Sequence, residues 1–84
     1  MKSKTLIKKL YKHFDDMEFC VFTDEEFEIL YIHHGLTYVI IEEDVVNVSY
    51  EVNCEPIVAA VITQELIYFA AMNRMSVNIF DISG

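Results

Sequence analysis

Four apolar segments between residues 17 and 52, MEFCVFT, FEILYIH, LTYVIIE and VVNVSYEV, are joined only by the short polar connectors TDEE, HG and EDV. Segments this rich in β-branched and aromatic residues favour strands. Parallel strands need a crossover of a dozen or more residues, so these connectors admit only hairpins, and the segments read as an antiparallel meander. The last segment alternates: Val46, Val48, Tyr50 and Val52 point one way, Asn47, Ser49 and Glu51 the other. A sheet with one buried and one wetter side is expected. His34-Gly35 is expected as a two-residue turn, with Gly supplying the positive φ.

The period changes on either side of the strands. Over residues 4–14, Leu6, Ile7, Leu10, Tyr11 and Phe14 fall on one arc of a helix, and Lys4, Lys8, Lys9 and Lys12 on the other. Ser3 is the expected N-cap, and Lys8, Lys9 and Lys12 lie toward the C-terminal end, where the helix dipole favours cations. A second helix is expected over 57–73, after a start that holds Pro56 in its first turn. Val58, Val61, Ile62, Leu66, Phe69 and Met72 form its expected sheet-facing side. Ile57, Ala60, Tyr68 and Ala71 widen the apolar surface beyond what one sheet face covers. The first helix, a short C-terminal strand from VNIFDI at 77–82, or a second copy of the chain are the candidate covers. The expected fold is therefore α+β: an N-terminal amphipathic helix, a four-stranded antiparallel β-meander, a long apolar helix and a short C-terminal strand, in one domain spanning 1–84.

A chain that is 54% hydrophobic with only two Gly and one Pro is not a disordered one. Lys8, Lys9 and Lys12 interrupt any secretory leader, and Gln64 and Glu65 split the longest apolar run, so a cytoplasmic protein without a membrane segment is expected. Cys20 and Cys54 form neither a disulfide framework nor a CxxC pair. His33 and His34 are adjacent on a strand and so point to opposite faces, which argues against a shared metal ion. The serines lack a nucleophile elbow, no Gly-rich loop would cradle phosphate, and DEEFE lacks the spacing and central Gly of a calcium loop. Neither enzyme activity nor a cofactor is expected.

Charge is the remaining signal. Residues 1–14 carry +5 and the rest of the chain −13, for a net charge of −8. In an up-down meander the first and third connections share one end of the sheet. Asp24, Glu25, Glu26, Glu28, Glu42, Glu43 and Asp44 are thereby expected together, as a negative surface for a basic partner. Tyr31, Tyr38 or Tyr50 are the expected aromatic anchors. The −13 body opposes the same phosphates that the N-terminal lysines would attract, so binding to nucleic acid or an anionic membrane is not expected, and the first helix reads as a cover.

Two functional readings follow. In the first, the chain is a small acidic inhibitor whose carboxylates imitate a phosphate backbone and occupy a protein that binds nucleic acid. Acidic inhibitors encoded by phages and mobile elements, anti-CRISPR proteins among them, and small immunity proteins are similar in size and charge, a likeness of gross properties that covers no motif. In the alternative, the chain is a homodimeric adaptor or chaperone-like subunit that associates through Ile57, Val61, Tyr68 and Met72 of the apolar helix.

Overall fold

The computed structural model describes residues 3–81, without the side chain of Asp81. Helix α1 (Ser3–His13) leads through a 3₁₀ turn (Asp16–Glu18) into β1 (Phe19–Asp24), β2 (Ile29–His34), β3 (Thr37–Ile41) and β4 (Val45–Tyr50); α2 (Pro56–Met72) and β5 (Ser76–Asp81) follow. The fold is α+β, and β1 to β4 pair antiparallel in chain order. The C-terminal segment is a fifth full strand and lies parallel to β4, from Val45 opposite Ser76 to Tyr50 opposite Asp81. The long connection that a parallel neighbour requires is α2 itself. Ile82, expected at the end of this strand, lies outside the described residues.

Both helices pack on one face of the sheet. Leu6 and Leu10 of α1 and Ile62, Leu66, Phe69 and Ala70 of α2 join Leu30, Ile32, Val39, Ile41, Val46, Val48 and Tyr50 in a single core. Ile7 and Phe14 pack partly against it, so the apolar arc of α1 is its buried arc. Ser3, expected as the cap, is already helical, and the residue before it lies outside the described residues.

Four local expectations are corrected. The first strand begins at Phe19 and not Met17, because the Asp15 carboxylate accepts the Met17 amide (2.9 Å) and winds a 3₁₀ turn. The β2–β3 turn is Gly35-Leu36, one residue later than expected, since His34 pairs with Thr37. Only Gly35 of the two has positive φ (54°), as a turn with Gly at its first central position requires. The His34 ring is buried between Phe14 and Phe19, at centroid distances of 4.7 and 4.5 Å. Its Nε2–H donates to Glu18 (3.0 Å), a carboxylate that can only accept, and the two together tie the end of α1 to β2. Val52 lies beyond the end of β4 and is exposed, because the chain turns after Tyr50 to enter α2, with the Cys54 amide donating to Glu51 O at 2.9 Å. Met72, expected against the sheet, is 70% exposed in the last turn of α2.

Tyr50 is buried, and its hydroxyl donates to Ala59 O (3.2 Å) and is hydrogen-bonded to the Thr63 hydroxyl, tying β4 to α2. Burial raises the phenol above the usual tyrosine range; Thr63 acts in the opposite sense and Cys54 in the same sense. A group whose folded pKa is raised contributes stability that is present below its unfolded value, near 10, and lost as pH rises through the folded value. Thermal melts should therefore show Tyr50→Phe destabilised by about 1–3 kcal/mol at neutral pH, for the lost hydrogen bonds. Above about pH 10 the variant should lose less stability with pH than the parent chain; equal slopes would show that Tyr50 does not drive alkaline unfolding.

Candidate protein-binding surface

Alternation along the strands sends every second side chain to the face without helices. The register aligns these into rows across the sheet: Phe22, Tyr31, Ile40, Asn47 and Asn78 form one, and Cys20, His33, Tyr38, Ser49 and Phe80 the next. Over β4 and the first part of β5 this face is polar, with Asn78 donating to Asn47 (3.0 Å), while Phe80 near the end of β5 is exposed on it. Over β1 to β3 it is aromatic and apolar. Phe22 lies 5.8 Å from Tyr31 between ring centroids, and His33 stacks on Tyr38 at 4.6 Å, its Nε2–H donating to Gly35 O (2.8 Å). Phe22 is 63% exposed, and Tyr31, Tyr38 and Ile40 are more than a third exposed. A wetter outer face is correct for β4 and wrong for β1 to β3.

The carboxylates border this patch. Two residues beyond Phe22 and Ile40 on the same face come Asp24 and Glu42, where the β1–β2 turn (25–28) and the β3–β4 turn (42–44) begin. Consecutive hairpins of this order put both turns at one end of the sheet, about two strand spacings or 10 Å apart. The topology thus gathers the seven acidic residues, though they do not act alike. Asp24 is half-buried and accepts the amides of Glu26 (3.1 Å) and Phe27 (3.3 Å), so it holds the turn. Glu25, Glu26, Glu28, Glu42, Glu43 and Asp44 are exposed, and so is Phe27 among them.

Helix dipoles modify the field here. The N-terminus of α1 borders the groove that holds Glu25 and Glu28, and its partial positive charge offsets part of theirs. The C-terminus of α2 comes to the same end and adds partial negative charge, with no basic residue in its last turn. Among the described residues no carboxylate lies within 4.0 Å of a Lys or Arg nitrogen; the carboxylates that meet a basic side chain do so at imidazole rings, Glu65 at His13 (3.4 Å) and Glu18 at His34 (3.0 Å). Asp15, Asp16, Glu18, Glu51 and Glu55 lie toward the other end of the sheet, so the negative charge is not confined to one end.

Of the expected anchors, Tyr31 and Tyr38 are on the open face, while Tyr50 is in the core on the opposite face. Phe22, Ile40 and Phe27 were missed by sequence reasoning. For Phe22 the signal was its parity with Asp24, two residues along one strand. His33 and His34 do point to opposite faces, and among the described residues no group of three or more His, Cys, Asp or Glu is arranged to hold a metal ion. Among the same residues no helix is long and apolar enough to cross a membrane. No protein-family model, no curated protein and no solved structure matches the chain.

Proposed function

We propose that the chain is a binding module, not a catalyst, and that it inhibits a protein that grips nucleic acid by presenting a carboxylate-bordered aromatic face to that protein's basic groove. One observation carries this reading: the exposed Phe22–Tyr31–Ile40 row is continuous with Asp24, Glu42 and turns whose carboxylates have no Lys or Arg partner among the described residues. An apolar centre with a polar rim is the usual anatomy of a protein interface, and Tyr and Trp are enriched, with Arg, among the few residues that carry most of its affinity. Carboxylates about 10 Å apart supply the charge that Arg and Lys of a nucleic-acid groove otherwise find in phosphates. In size and charge the chain is similar to the small inhibitors that phages and mobile elements direct at such proteins, and to small immunity proteins.

The test is capture from a lysate of the source cell on immobilised protein, followed by elution with duplex DNA or with rising salt. A basic nucleic-acid-binding protein released by either eluent, and captured at least tenfold less by Tyr31→Ala and Phe22→Ala, is the expected result. Bound proteins indifferent to both DNA and salt would refute the phosphate-mimic reading.

A further inference from the structure

Among the described residues the sheet has two open edges, β1 and β5, and neither strand contains the Pro or Lys with which natural edges resist pairing. Their charges differ. Asp15, Asp16 and Glu18 precede β1 and Asp24, Glu25 and Glu26 end it, so antiparallel pairing of β1 with its own copy sets carboxylates against carboxylates at both ends. Arg74 precedes β5 and Asp81 ends it. Antiparallel pairing of β5 with its own copy sets the chain's only arginine beside the acidic end of the other strand, twice by symmetry.

The helix layer also stops short at this edge. Ile79 pairs in register with Val48, which is fully buried, yet Ile79 is 50% exposed. Ile67 of α2, beside it, is equally open. Between them Ala59, Ala60, Thr63 and Gln64 complete an open groove of about 510 Å³. Small alanine side chains let another helix approach closely, and the groove carries no charged residue. On a chain of net charge −8, a neutral apolar strip is where two copies meet with least repulsion.

We infer that the protein forms a two-fold dimer in which β5 pairs antiparallel with β5 of a second copy, making a ten-stranded sheet, while the two α2 helices pack antiparallel across the grooves. Tyr68 and Met72 lie on the other flank of α2, toward α1, where Lys9 sits 4.3 Å above the Tyr68 ring. The contact therefore uses Ala60 and Ile67 with Ile79, and of the expected set of Ile57, Val61, Tyr68 and Met72 it leaves out Tyr68 and Met72. The dimer is independent of the partner reading. It leaves both helix-free faces open on one continuous sheet and sends the two acidic ends in opposite directions, so each surface has its own experiment.

Sedimentation equilibrium or light scattering decides it. The expected mass is twice the 9.8 kDa of the chain. Ile67→Lys and Ile79→Lys, both at exposed positions, should weaken the dimer at least tenfold while circular dichroism stays native. Arg74→Glu should also weaken it, and Arg74→Glu combined with Asp81→Arg should restore it, which a general loss of folding would not allow. A chain that stays at 9.8 kDa up to its solubility limit overturns the inference. So does a dimer indifferent to both lysine variants, or a charge swap that fails to rescue.

Discussion

Removal of residues 1–14 is expected to abolish cooperative unfolding. Leu6 and Leu10 are each 1% exposed and belong to the core shared with α2 and the sheet, with Ile7 and Phe14 packed partly against it. Fully burying side chains of this size is worth about 1.5–3 kcal/mol each, so Leu6 and Leu10 alone supply roughly 3–6 kcal/mol, to which the partly buried Ile7 and Phe14 add. At 0.05–0.15 kcal/mol per residue, a chain of 84 residues has about 4–13 kcal/mol in all. The truncated chain would also uncover Leu66 and Ile62, the fully buried side of α2, and lose the Phe14 wall of the His34 site. A point substitution grades the effect: Leu10→Ala should cost about 2–5 kcal/mol, whereas Lys8→Gln and Lys12→Gln, at exposed positions without an ion pair among the described residues, should change stability by less than about 0.5 kcal/mol. Circular dichroism melts check all three. A truncated chain that still melts cooperatively would make α1 a separate basic arm, and the charge asymmetry of the sequence would then need a function of its own.

The two helices, the meander and its end-on gathering of acids were legible because each rests on a local rule: a 3.6-residue apolar period, a two-residue alternation, and connectors too short to cross over. The errors arise where distant residues decide. Its place before Gly35 suggests a turn for His34, but Phe14 and Phe19, far from it in sequence, enclose its ring and keep it in the strand. VNIFDI reads locally as a strand; only the packing of α2 across the sheet brings this segment beside β4 in parallel. As an anchor Tyr50 conflicts with the alternation of its own segment, which sets it with Val46 and Val48 on the side that proves to be the core. Period and parity thus located the acidic half of the candidate surface. Its aromatic half needed the register between strands, which no single segment carries. Ile67 and Ile79 were beyond reach for a similar reason: each looks like a core residue, and their exposure follows from where the helix layer ends.

Reversing Glu25, Glu26, Glu42 and Glu43 to Lys is expected to remove partner binding while leaving the fold intact. All four are exposed turn residues, and none makes a hydrogen bond through its side chain among the described residues. Asp24 is kept, because its carboxylate holds the turn by accepting two amides. The change moves the net charge from −8 to 0 and relieves repulsion between the turns, so the melting temperature should hold or rise. Association with a basic groove loses its steering, worth about 10–10³ in on-rate, and now meets like charge at the contact. A fall of at least about 100-fold in affinity at physiological salt is the expected result, with a flatter dependence on ionic strength. The turns should contribute unequally. The N-terminus of α1 already offsets part of the charge at Glu25 and Glu28, whereas the α2 C-terminus adds to the negative field of the same end, so Glu42→Lys with Glu43→Lys should cost more than Glu25→Lys with Glu26→Lys. Titration calorimetry against the captured partner, in two salt concentrations, measures both effects. Retained affinity in the fourfold variant would mean that the aromatic rows bind without the carboxylates, and the partner would then be sought by its apolar surface instead of its charge.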